Sequence, residues 1–160
     1  MAITNFIGEF ECKLDAKGRL MLPSNLRKQL DPSAQERFVM NRGFEKCLVL
    51  YPKNDWEYIS AEVNKLNQYV KKNREFIRYF YRGASELGLD VTGRILFPKR
   101  MLDYAGVAKD VVLFAYGNRI EIWDAATYHG LLTDEPDEFA KLAEEVMGRS
   151  SENQDENGVS

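Results

Sequence analysis

Apolar positions along this chain change their period several times, and the changes mark its elements. Around Leu14–Pro23 and again around Leu89–Pro98, short apolar runs flank an Asp-x-x-Gly step. That is the pattern of two strands joined by a tight turn: the Asp side chain holds backbone amides and the Gly supplies a positive φ. Pro23 and Pro98 then end a strand or open a helix. Ser24–Leu30 follows with apolar residues four apart, and Asp31-Pro32 stops it. Lys99–Ala105 is the equivalent short helix, with Gly106 placed as its C-terminal cap. Two strands come next, near Phe38–Met40 and Cys47–Tyr51, joined by a turn containing Gly43. Their counterparts are Val111–Tyr116 and Arg119–Trp123, joined around Gly117. The pattern reads β–β–α–β–β, and it reads so twice.

The repetition is also literal. Leu14-Asp15-Ala16-Lys17-Gly18-Arg19-Leu20-Met21-Leu22-Pro23 is echoed by Leu89-Asp90-Val91-Thr92-Gly93-Arg94-Ile95-Leu96-Phe97-Pro98. Leu48-Val49-Leu50-Tyr51-Pro52 with Trp56 beyond it is echoed by Ile120-Glu121-Ile122-Trp123-Asp124 with Tyr128 beyond it. We read a tandem duplication of a unit too small to bury much surface alone. The units span residues 9–55 and 83–127. Between them, over 56–82, Trp56, Ile59, Val63, Leu66 and Val70 form a helical stripe with Asp55 as the expected N-cap. Lys71, Lys72, Arg74, Arg78 and Arg82 then crowd a segment that also carries Phe76, Ile77, Phe80 and Tyr81. A connecting helix pair that packs on the sheets and leaves its bases in water accounts for both. A helical segment is expected over 128–148 (Phe139, Leu142, Val146), and an acidic, disordered tail over 149–160.

Composition narrows the class. At 44% hydrophobic and 29% charged residues, the 160-residue chain is globular. No apolar stretch approaches the roughly 18–20 residues that cross a bilayer. Met1–Phe6 lacks the basic start and apolar core of a signal peptide, and two cysteines suit a reducing cytoplasm. A soluble, intracellular protein is expected. The net charge of −3 hides an asymmetry: residues 134–160 hold nine acids and two bases, so the remainder carries +4. Distribution, not the total, decides what such a chain attracts.

Most catalytic constellations fail on inventory. His129 is the only histidine, Cys12 and Cys47 have no zinc spacing, and no phosphate loop or nucleophile motif is present. We expect no metal, no cofactor, no small-molecule substrate and no enzymatic activity. What is left is the duplicated arginine. Asp15 and Arg19, like Asp90 and Arg94, lie four apart around a turn built on Gly18 or Gly93. One reading is an ion pair that rigidifies the hairpin. The other has the guanidinium fork projecting towards a phosphate or a guanine edge. An arginine can do both.

The doubled Asp-x-x-Gly-Arg-x-x-x-Pro, with the Leu48–Pro52 and Ile120–Asp124 segments, resembles the MraZ family of bacterial regulators and its SpoVT/AbrB-type DNA-binding domains. The resemblance covers roughly residues 5–147. It implies an α+β, mainly β fold: a pseudo-symmetric swapped-hairpin (AbrB-like) β-barrel completed by the two ββαββ repeats, with connecting and C-terminal helices. It further implies a ring-shaped homo-oligomer that represses transcription by binding direct repeats in double-stranded DNA upstream of the division and cell-wall gene cluster, in the cytoplasm at the nucleoid. The DNA-contacting arginine of the motif carries over to Arg19 and Arg94, and the lysine before Gly-Arg to Lys17; Thr92 departs from it in the second copy. Lys13 is expected beside Lys17 and Arg19, since side chains two apart on a strand share a face. A rival reading is a protein–protein scaffold or antitoxin-like module working through the acidic end of the chain.

Overall fold

Strands form where the apolar runs lie, but their partners are far away in sequence. The computed structural model describes residues 4–157, with side chains as far as Gly148. It divides into two units, Met1–Ala126 and Thr127–Ser160, so the strands of both repeats fall in the first. In chain order the first unit contains β1 (Phe6–Lys13), β2 (Arg19–Met21), α1 (Ser24–Arg27), β3 (Arg37–Arg42), β4 (Leu48–Pro52), α2 (Lys53–Asn64), α3 (Lys71–Tyr81), β5 (Ser85–Gly88), β6 (Arg94–Leu96), α4 (Lys99–Ala105), β7 (Asp110–Gly117) and β8 (Arg119–Asp124). α5 (Ala125–Leu131) and α6 (Pro136–Asn157) follow.

The strands pair antiparallel in a six-stranded sheet of order β1-β7-β8-β4-β3-β5 and a two-stranded ribbon, β2-β6. The order is an exchange. β1 of the first repeat lies along β7 of the second, from Phe6 opposite Gly117 to Lys13 opposite Asp110. β5 of the second repeat lies along β3 of the first, from Arg37 opposite Gly88 to Met40 opposite Ser85. The hairpins β3–β4 and β7–β8 meet in the middle through β4 and β8, and β2 of one repeat pairs with β6 of the other. Neither repeat has a complete sheet of its own.

The fold is thus mixed, mainly antiparallel strands, built from two repeats as expected. The hydrogen-bonded ladder does not close into a barrel among the described residues. The ribbon joins the larger sheet only through a bridge between Leu14 and Leu20 and through turn contacts. Burial still unites them: Leu20 and Ile95, opposite each other in the ribbon, are fully buried with Leu26, Phe38, Leu50, Val111, Ile120 and Ile122 in one core.

Several local expectations change. Asp55 is not the cap of α2; Pro52 is, and Asp55 lies in the first turn, where a carboxylate suits the helix dipole. Its buried carboxylate accepts a hydrogen bond from Thr4 Oγ1 at 2.5 Å, tying the N-terminal segment to α2. The stripe from Trp56 outlasts its helix: α2 ends at Asn64, so Leu66 and Val70 belong to a turn before α3. Near Asp31 the first helix is shorter than its apolar spacing, ending at Arg27 before a 3-10 turn at Pro32–Ala34 that Asp31 caps. In the second unit α6 runs on to Asn157, where disorder was expected from residue 149. A helix already nucleated extends at little cost through Glu- and Gln-containing sequence. Residues 158–160 of that tail lie outside the described residues.

Because Ile95 is completely buried at the ribbon's inner face, Ile95→Ala removes apolar contact from both repeats at once. It is expected to cost about 2–5 kcal/mol in urea unfolding. A loss below about 1 kcal/mol contradicts a shared core.

Candidate nucleic-acid interface

Each Asp-x-x-Gly-Arg segment closes on itself through its carboxylate. Asp15 Oδ1 accepts the backbone N–H groups of Lys17 and Arg19, both at 2.9 Å, and Oδ2 accepts Arg19 Nε at 2.7 Å. Main-chain bonds from Asp15 N to Arg19 O and from Gly18 N to Asp15 O complete the turn. Asp90 repeats the arrangement. Its Oδ1 accepts Thr92 N and Arg94 N at 2.9 Å and Thr92 Oγ1 at 2.8 Å, and its Oδ2 accepts Arg94 Nε at 2.9 Å. The threonine hydroxyl occupies the place that Lys17 leaves to solvent.

The glycines are required by backbone and by space. Gly18 and Gly93 have φ of 83° and 87°, which L side chains rarely adopt. A Cβ on Gly18 meets Leu102 Cδ1 at 3.3 Å and Phe97 O at 3.4 Å; one on Gly93 meets Arg27 Nη1 at 2.9 Å. Arg27 and Leu102 hold equivalent places in the two repeats, and each covers the other repeat's turn. The turns are also cross-linked, by Leu22 N to Gly93 O and by Phe97 N to Gly18 O, each at 3.0 Å.

Register then decides where the arginines point. In the ribbon Arg19 faces Leu96, Leu20 faces Ile95, and Met21 faces Arg94. With Leu20 and Ile95 turned into the core, strand alternation puts Arg19, Met21, Arg94 and Leu96 on the outer face. Arg19 and Arg94 are diagonal neighbours there, and their side chains are 28% and 31% exposed. Each guanidinium is fixed by its Nε, and its terminal amino groups make no hydrogen bond among the described residues.

The sequence-predicted residues divide accordingly. Asp15, Lys17, Gly18 and Arg19 form one turn, and Asp90, Gly93 and Arg94 the other. Lys13 does not share a strand with either Lys17 or Arg19. It ends β1, in the larger sheet, on the side that carries Glu9 and Glu11, with Asp110 opposite. The turn at Asp15–Gly18 breaks the two-residue alternation between Lys13 and Arg19. Three residues of the surface went unnoticed in the sequence: exposed Met21 and Leu96, and Arg27, which lies over Gly93 and pairs with Glu36 at 2.7 Å. The alternation in Arg-Leu-Met and Arg-Ile-Leu was the signal for the first two. Among the described residues no three metal-ligating side chains come together. Burial pushes the Cys47 thiol up to about 12, which leaves it a poor nucleophile.

With this geometry in view, comparison with known proteins is decisive. A family model described as "MraZ protein, putative antitoxin-like" matches residues 5–79 and again 80–150. The chain belongs to the MraZ family. A protein named transcriptional regulator MraZ from Flavobacterium psychrophilum is 48% identical over 159 residues, covering 99% of this chain and all of that protein. One of the same name from Christiangramia forsetii is 48% identical over 157 residues, covering 98% and 99%. A more distant one, from Pediococcus pentosaceus, is 37% identical over 142 residues, covering 89% and 96%. The two MraZ matches divide the chain near the end of α3, between the two copies of the motif, so the duplication seen in the motifs is the family's own.

Hydrogen bonds from the backbone of Arg19, opposed in part by desolvation, hold the Asp15 carboxyl below its ordinary value of 3.8. The equivalent bonds from Arg94 hold Asp90 far below it. A depressed carboxylate contributes stability above the unfolded value, near 4, and loses it as pH falls towards the folded one. The turns therefore weaken below about pH 4. In urea melts from neutral to acid pH, Asp90→Asn is expected to flatten the acid loss of stability; an unchanged pH profile contradicts the assignment.

Proposed function

We propose that the outer face of the β2–β6 ribbon is a DNA-binding surface and that the protein is a transcriptional repressor. The observation that carries this reading is the register of Met21 with Arg94 and Arg19 with Leu96, which supports two fixed arginines on one outward face. A two-stranded ribbon is narrow enough to enter the major groove, and an arginine fork suits a guanine edge or a phosphate. Lys17, exposed on the first turn, adds a phosphate contact that Thr92 does not supply. Lys13, in the larger sheet on a face with Glu9 and Glu11, lies outside this surface. Met21 and Leu96 suit the apolar contact that a thymine methyl offers.

One ribbon neutralises few phosphates, so single-chain affinity at physiological salt is low. We read the assembly as a ring-shaped homo-oligomer that sets ribbons at fixed spacing along direct repeats, turning weak contacts into avidity. The strand exchange between repeats is, on this reading, the chain's form of the swapped-hairpin barrel. Repression then takes place in the cytoplasm at the nucleoid, and no chemical step is assigned to the protein.

Arg19→Glu is expected to abolish retardation of DNA carrying several repeats while leaving the oligomer's native mass unchanged. Cutting the DNA to one repeat is expected to weaken wild-type binding by at least about tenfold. Retention of binding by Arg19→Glu, or equal affinity for one repeat and several, overturns the reading.

A further inference from the structure

We propose that a second site, a cavity of about 500 Å³ between α3, the β3–β4 turn and β8, binds a small aromatic anion: a planar ring bearing a carboxylate, sulfonate or phosphate. The volume lies in the range of small-molecule sites. The site is separate from the ribbon, and nothing in the reading above uses it.

Three arginines line it, Arg42 from β3, Arg82 just past α3 and Arg119 from β8. None takes part in an ion pair among the described residues. The lining also holds two acids: Glu121, which accepts a hydrogen bond from Trp123 Nε1 at 2.9 Å, and Glu45, which is exposed on the turn. The cavity therefore retains an excess of positive charge. Two of the guanidinium groups lie over aromatic rings. Arg42 lies 4.1 Å from the centroid of the Tyr104 ring, and Arg119 lies 5.4 and 5.8 Å from those of Tyr51 and Tyr116. A cation–π contact holds a guanidinium near a ring without using its N–H groups as donors.

Two buried polar atoms of residues that line the cavity have no partner among the described residues. Asn41, only 4% exposed, donates Nδ2 to the Phe80 carbonyl at 3.5 Å, while its Oδ1 accepts nothing; Arg42 Nε donates to nothing. Buried polar groups in folded proteins nearly always have partners. An anionic group on the ligand meets the arginines. The rings of Phe76, Tyr79 and Phe80 supply the apolar wall against which a planar ligand stacks.

The probe is 1-anilinonaphthalene-8-sulfonate, titrated into the full chain and followed by fluorescence, with N-phenyl-1-naphthylamine as the same ring system without the sulfonate. Saturable binding of one sulfonate dye per chain is expected, weakened about tenfold or more by Arg42→Gln, Arg119→Gln or removal of the sulfonate. Arg82→Gln, which removes the third arginine of the lining, tests the charge independently should one of the other arginine variants unfold; dye affinity is expected to fall with it as well. Absent dye binding, equal affinity for the neutral dye, or unchanged affinity in the arginine variants overturns the proposal. So does a changed native mass of Arg119→Gln with unchanged dye affinity, which identifies the cavity as a contact between copies. DNA binding enters none of these readouts, so the proposal and the repressor reading fail separately.

Discussion

At both ends of the short ribbon, one carboxylate accepts N–H groups from residues two and four places further along the chain, and it also grips the side chain of the second of these. That constraint sets three things together. It closes the turn, it makes a left-handed glycine necessary at Gly18 and Gly93, and it anchors each arginine by its Nε. As an exposed ion pair, Asp15–Arg19 or Asp90–Arg94 contributes little to stability. Its importance is geometric. An arginine held at Nε has lost most of its rotamer freedom before any partner arrives, so less entropy is lost when its terminal amino groups bind.

The exchange of strands places the two constraints side by side. Had β1 and β2 paired within their own repeat, each turn would lie at the end of a separate, poorly buried hairpin. Instead β2 pairs with β6, Arg27 and Leu102 cover the opposite repeat's turn, and the main chain cross-links the two turns. A duplicated unit of this size lacks the apolar surface for a core of its own. Interleaving solves that problem, and it brings the two arginines onto one face. The copies are not identical in consequence: Lys17 leaves the first turn open and basic, whereas Thr92 spends its hydroxyl on Asp90.

How much of this was legible in the chain follows from the range of each interaction. The turns are local, contained in a run of five residues, and Asp-x-x-Gly-Arg reports them fully. The strands of both hairpins and the cap at Gly106 were legible for the same reason. Pairing was not: equivalent sequences in two repeats do not say whether β1 prefers its own repeat or the other one, and only burial of the whole sheet decides it. Asp55 has the composition of a cap but serves a long-range bond to Thr4. Lys13 was misplaced because alternation fails across a turn. The arginine-lined cavity had no signal at all, since Arg42 and Arg119 come to line one cavity only after β4 and β8 pair.

The account stands on both arginines meeting the phosphates or base edges of one duplex. Its most direct test is the salt dependence of DNA retention, as log affinity against log salt, for the wild type, Arg19→Gln, Arg94→Gln and the double variant. Neutralised phosphates set that slope at about 0.9 each. Slopes that shrink with each single replacement and shrink further in the double variant are the predicted result. Four equal slopes contradict the account.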